Sequence, residues 1–80
     1  MNKVRIVEIE WVDACSNSGW IAQKEAEEWI GVPYACKTVG YLVSSTKEQV
    51  TVAATYSECD GKLNGLHQVP RGMVKRMRFL

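Results

Sequence analysis

Two short stretches of this chain carry residue types that can hold a ligand. The first is Trp11-Val12-Asp13-Ala14-Cys15-Ser16-Asn17-Ser18-Gly19-Trp20. Asp13, Ser16, Asn17 and Ser18 place carboxylate, hydroxyl and amide groups on what reads as one turn, and backbone amides exposed there can cradle an anion. Trp20 beside such a turn offers a flat face on which a purine can stack. The plainer reading makes Trp11 and Trp20 core anchors, with the polar residues shaping the turn and capping a helix. Trp11 fits that plainer reading better, and Trp20 fits both equally. The second stretch is Val69-Pro70-Arg71-Gly72. An arginine on a rigid turn suits two-pronged contact with phosphate or carboxylate. Arg71 can equally bridge to Asp13 or Glu10 and tie the turn to the first strand. Were the two turns to share one end of the fold, Trp20 and Arg71 would stack a base and hold its phosphate. Tyr41 and Tyr56 are further stacking candidates, and Lys75 a further phosphate candidate.

Little else in the chain points to chemistry. There is one histidine, His67, and no nucleophile elbow. Glu8 and Glu10 share a strand face and could bind a cation or divide acid and base roles, but such pairs more often form a solvated outer face. No phosphate-cradling glycine loop occurs. Cys15, Cys36 and Cys59 form no CxxC pair, so no zinc cluster is indicated and free thiols are expected, with Cys36 in the core. The expectation is a binding protein with no catalytic residues, metal or cofactor.

The elements that must position these residues are mostly strands. In 4–12, VRIVEIEWV, Val7, Ile9 and Trp11 alternate with Glu8 and Glu10. Residues 13–19 form a loop. Residues 20–30, WIAQKEAEEWI, predict a helix of about three turns with Ala22, Ala26, Trp29 and Ile30 on one face. Ser18 reads as its N-cap, Gly31 as a left-handed C-cap, and Pro33 prevents its continuation. So short a helix needs packing to persist, so it is expected to lie on the sheet. Residues 36–44 and 48–56 predict a hairpin around Ser45-Thr46-Lys47. Gly40 marks a bend or a close backbone approach. Asp60-Gly61 is a turn within loop 57–64. A short strand over 65–69, a break at Pro70-Arg71-Gly72, and a last strand over 73–80 complete the chain. The spacing of Val74 and Met77 fits a 3₁₀-like turn leading into that last strand.

The fold class expected is mainly β: a small five-stranded SH3-like or Sm-like barrel with one short helix between strands 1 and 2. The oligonucleotide-binding fold places its helix later, between its third and fourth strands. Residues 1–80 make one domain, small enough that assembly often supplies part of its stability. Its 46% hydrophobic content argues against disorder. No apolar run approaches the ~18 residues that span a bilayer, and no signal core follows a basic start. A cytoplasmic location with no membrane partner is therefore expected. Charge is uneven. Residues 1–36 hold three basic and six acidic groups, net −3, and residues 37–80 hold seven and three, net +4. Four of those seven lie in Arg71–Arg78, a local basic edge rather than the broad face of a duplex-DNA binder. Three tryptophans and three tyrosines are a large aromatic load for one small core. That favours a homo-oligomer, a dimer or higher, with aromatic residues in its interface.

WVDACSNSGW, TVGYLVSSTKEQVTVAATY and VPRGMVKRM together resemble a family of small bacteriophage proteins. The residues carrying the resemblance are Trp11, Asp13, Ser16, Ser18, Gly19, Trp20, Val39, Gly40, Tyr41, Val69, Pro70 and Arg71, and Asn17 departs from the pattern. The resemblance implies a phage accessory protein acting in the cytoplasm of a bacterial host. In size and character the chain looks like the compact oligomeric sponges that capture nucleotide immune signals without covalent chemistry. Two other functions are open. One is a module binding single-stranded nucleic acid through the basic edge. The other is a protein–protein inhibitor of a host enzyme.

Overall fold

A computed structural model describes residues 4–14, 16, 18–31 and 34–80 of the chain. Alternating β-branched residues produce five strands: β1 (Ile6–Asp13), β2 (Tyr34–Ser45), β3 (Gln49–Tyr56), β4 (Leu63–Pro70) and β5 (Val74–Phe79). A six-residue helix, α1 (Gln23–Glu28), lies between β1 and β2, and a 3₁₀ turn, Arg71–Met73, between β4 and β5. All strand pairs are antiparallel, and the sheet order is β4-β3-β2-β1-β5. The fold is mainly β with one short helix, as expected. The five strands form one sheet whose two outer strands, β4 and β5, are not joined by a ladder.

The sheet is nevertheless strongly curled. Pro70 ends β4 and Val74 starts β5. In a flat sheet these opposite edges would stand roughly 19 Å apart, at about 4.8 Å per strand. A single 3₁₀ turn rises only about 2 Å per residue, so the edges must approach. The rings of Trp11 in β1 and His67 in β4 meet edge to face at 5.4 Å, although two strands lie between theirs in the sheet. Val7, Ile9, Val50 and Val52 are fully or almost fully buried on the concave side. Trp11, Leu42, Val74 and Met77 pack against them.

Gly40 allows part of that curl. A Cβ at this position would stand 2.8 Å from the Ala53 carbonyl oxygen and 3.1 Å from Val52 Cβ. The close approach read from the sequence is therefore real. Immediately beyond it, Val43 is the extra residue where the β2–β3 register shifts. Such a bulge adds bend and twist to a strand. The β2–β3 turn falls where Ser45-Thr46-Lys47 predicted it. Thr46 Oγ1 there accepts the backbone N–H groups of Glu48 and Gln49, each at 3.2 Å. Asp60-Gly61 also turns as expected. Gly61 is left-handed (φ 72°), and Asp60 Oδ1 accepts the Lys62 N–H at 3.0 Å.

Several expectations need correction. The helix spans 23–28 rather than 20–30, and its N-cap is Ala22 rather than Ser18. The C-cap is Trp29, in extended conformation, rather than Gly31. The helix does not lie on the sheet, and every one of its residues is exposed. β4 is longer than 65–69, and the 3₁₀ turn precedes Val74. Cys36 is half-buried rather than core. The periodicity of 20–30 overstated the helix, which holds only Ala26 of the expected apolar face, and carried no information about what covers it. Cys15, Asn17 and Pro33 lie outside the described residues.

Candidate functional site

β1, β2 and β5 position a hollow on the sheet. It has a volume of about 240 Å³ and is lined by Glu10, Trp11, Ala35, Cys36, Lys37 and Lys75. Trp11 pairs with Cys36 across β1–β2 and with Val74 across β1–β5. Its indole Nε1–H donates to Thr38 Oγ1 at 2.9 Å, which fixes the ring plane. The β1–β5 register shifts between Glu10, opposite Arg76, and Trp11, opposite Val74. Lys75 is therefore the extra residue of a bulge. Bulges commonly re-aim a side chain next to a binding site, and this one brings Lys75 into the hollow with Lys37.

The outer faces of β2, β1 and β5 neutralise their own charge. Arg78 Nε meets Glu8 Oε1 at 3.0 Å, and Arg76 Nε meets Glu10 Oε2 at 3.0 Å. Lys37 Nζ lies 3.6 Å from Glu10 Oε1. Glu8 and Glu10 thus form an ion-paired outer face. The hydrogen bond from Arg76 first, and its charge with that of Lys37, hold the Glu10 carboxyl below the ordinary glutamate range. Asp60 is likewise held low, chiefly by the Lys62 backbone N–H and then by the Ser57 side chain. A carboxyl with a depressed folded-state value stabilises the fold above the unfolded value, and that contribution is lost as pH falls through the folded one. Acid titration of stability is therefore expected to be flatter in Glu10→Gln/Asp60→Asn than in the parent, as read by urea denaturation at neutral and acid pH. Identical slopes would show that these two contacts do not persist in solution.

The residues proposed from sequence do not all converge. Arg71 is committed to the β2–β3 turn. Its Nε and one terminal nitrogen donate to the Thr46 carbonyl at 3.0 and 2.8 Å, and the same terminal nitrogen reaches Ser45 Oγ at 2.6 Å. Its backbone N–H donates to the Glu48 carbonyl at 2.8 Å. Arg71 thus locks the 3₁₀ turn to the hairpin, in place of a bridge to Asp13 or Glu10. Trp20 is fully exposed, and Ser16 and Ser18 are exposed beside it. Asp13 Oδ1 accepts the Ala14 N–H at 2.8 Å, a local turn contact. The hydrogen bonds of the Arg71 guanidinium go to the β2–β3 turn and not to the 16–20 segment. Tyr41 and Tyr56 do meet, at 6.0 Å between ring centres. Lys75 lines the hollow. The sequence reading missed Trp11 and Lys37 as site residues. Their direct pairing partners, Cys36 and Glu10, are products of strand register, which periodicity alone does not fix.

The residues lining the hollow bring two ammonium groups, Lys37 and Lys75, together with the Glu10 carboxylate that Lys37 faces, and Trp11 and the half-buried Cys36 complete the lining. The Cys36 thiol points to the Tyr34 carbonyl at 3.5 Å. Among the described residues no three metal-ligating side chains come together. Among the described residues, no helix is long and apolar enough to cross a membrane. Comparison of the chain with protein-family models, curated proteins and solved structures finds no match.

Proposed function

We propose that this protein binds a small anionic nucleotide without covalent chemistry, at the hollow between β1, β2 and β5. The observation that carries the reading is the β5 bulge, which adds Lys75 to Lys37 in a hollow that Trp11 also lines. Ammonium groups hold phosphate as point charges. Lys75 is also the one cation of the Arg71–Arg78 stretch with no carboxylate or carbonyl partner among the described residues. That distribution favours a small anion over a long polyanion, because Arg76 and Arg78 already face Glu10 and Glu8. We read the strand order β4-β3-β2-β1-β5, with its 3₁₀ link into β5, as an SH3-like barrel open at one seam. Folds of this kind serve many binding roles, so the site rather than the fold supports the reading. The resemblance to small phage proteins extends it to a biological role. Captured in the host cytoplasm, a nucleotide immune signal is withheld from its effector.

Isothermal titration with ribonucleoside monophosphates, cyclic monophosphates and cyclic dinucleotides tests this. One of these is expected to bind and to be recovered unchanged after the protein is denatured. Lys75→Ala and Lys37→Ala are each expected to weaken it about tenfold, the size of one charged hydrogen bond. Binding of none, or recovery of a cleaved product, would overturn the proposal.

A further inference from the structure

Between β1 and β2, residues 16 and 18–30 are all exposed. The molecule measures 58 × 21 × 19 Å, with a radius of gyration of 17.1 Å. A compact chain of this length would have roughly 12 Å. The connection carries Trp20 (103% exposed), Ile21 (42%), Trp29 (43%) and Ile30 (89%). This arm thus leaves Trp20 and Ile30 almost bare and Ile21 and Trp29 partly so. It is also acidic, with Glu25, Glu27 and Glu28 against the single Lys24.

A complementary surface exists at the other end of β1. Val4, Arg5, Ile6 and Leu80 line a hollow of about 450 Å³. Ile6 is 40% exposed, Phe79 46% and Leu80 63%. The Arg5 guanidinium lies 3.9 Å above the Phe79 ring and makes no ion pair among the described residues. This surface is apolar and cationic where the arm is apolar and anionic. The two lie at opposite ends of β1, because the arm leaves after Asp13 and the hollow surrounds Ile6.

We infer that two copies of this chain exchange arms. Each arm covers the Val4–Arg5–Ile6–Leu80 hollow of the other copy, with its glutamates facing Arg5. A two-fold dimer requires each patch to meet its complement once, and patches at opposite ends of an antiparallel pair satisfy this without leaving an open end. Two indoles and two isoleucines per arm, counted on both copies with the surfaces they cover, reach the roughly 1,200 Å² at which specific interfaces begin. The inference stands apart from the nucleotide reading and uses none of its residues.

Sedimentation and light scattering of the full chain test it. The expected mass is twice the 9.0 kDa of one chain, and tryptophan emission should shift to the blue as the dimer forms. Trp20→Glu/Ile30→Glu should weaken association about a hundredfold or more. Its far-ultraviolet β signature should not change, since neither side chain touches the core. Arg5→Glu should weaken the dimer, and adding Glu27→Arg/Glu28→Arg to it should restore association. A chain that stays monomeric at high concentration overturns the proposal, as does a dimer indifferent to the arm variant. Flotation of a monomeric parent chain with anionic phospholipid vesicles would also overturn it, and would assign the arm to a membrane surface.

Discussion

Gly40→Val is expected to lower the unfolding free energy by about 3 kcal/mol, at the upper end of what overpacking costs. The atom nearest to an added Cβ is the Ala53 carbonyl oxygen, at 2.8 Å, and it belongs to the neighbouring strand's backbone. A flexible side chain could swing away, but a ladder carbonyl moves only with its strand. Val52 Cβ at 3.1 Å and one of its methyl carbons at 3.2 Å close the other direction, and Val52 belongs to the buried core. The substitution therefore forces β2 and β3 apart at the position where the sheet curls. A domain of this size has roughly 5 kcal/mol to lose, so the variant should populate unfolded chain under native conditions. Gly72→Val is the control. Nothing stands within 4 Å of a Cβ there and the backbone is not left-handed, so its effect should stay within about 0.5 kcal/mol. Urea denaturation of both variants decides the matter. A Gly40→Val protein as stable as the control would mean that β2 and β3 are not held this closely.

Gly40 also illustrates what a single sequence discloses. A glycine amid β-branched residues has few explanations, and close backbone approach was one of them. The five strands, the Ser45-Thr46-Lys47 turn and the Asp60-Gly61 turn were legible for similar local reasons. Alternation and turn chemistry act between near neighbours in the chain. The site was less legible because it depends on partners far apart. Arg71 has the right chemistry for a phosphate, but the Thr46 carbonyl, 25 residues away, takes the same guanidinium geometry. The sequence showed Lys75 as one member of a basic run. Only the register shift opposite Glu10 and Trp11 separates it from Arg76 and Arg78, which are neutralised. The helix was misplaced in space for a third reason. Of Ala22, Ala26, Trp29 and Ile30 only Ala26 lies within the helix, and all four are exposed; a pattern names a face and not its cover. A face that the chain itself leaves bare reads the same as one packed on its own core.

Trp11→Ala is the second change with a large expected effect, about 3 kcal/mol, because Trp11 joins the fold to the site. Its ring packs against the Val7–Ile9–Val50–Val52 cluster and meets His67 edge to face. Truncation removes most of that contact and leaves a cavity that the curled sheet cannot close without moving β1 toward β4. Trp11 is only half-buried, which keeps the cost at the low end of the range for aromatic truncations. Trp11→Phe retains the ring against the core and loses the hydrogen bond to Thr38. Its expected cost is about 1 kcal/mol, the net worth of one such bond. Thr38→Val removes the same bond from the other side and should cost a similar amount while leaving the indole in place. The three variants therefore separate two roles of one residue. If Trp11 also forms the wall for a stacked base, Thr38→Val should retain more nucleotide affinity than Trp11→Phe at equal stability, because only Thr38→Val keeps the larger indole face. Equal affinities in those two proteins would confine Trp11 to the core and leave the lysines as the whole of the site.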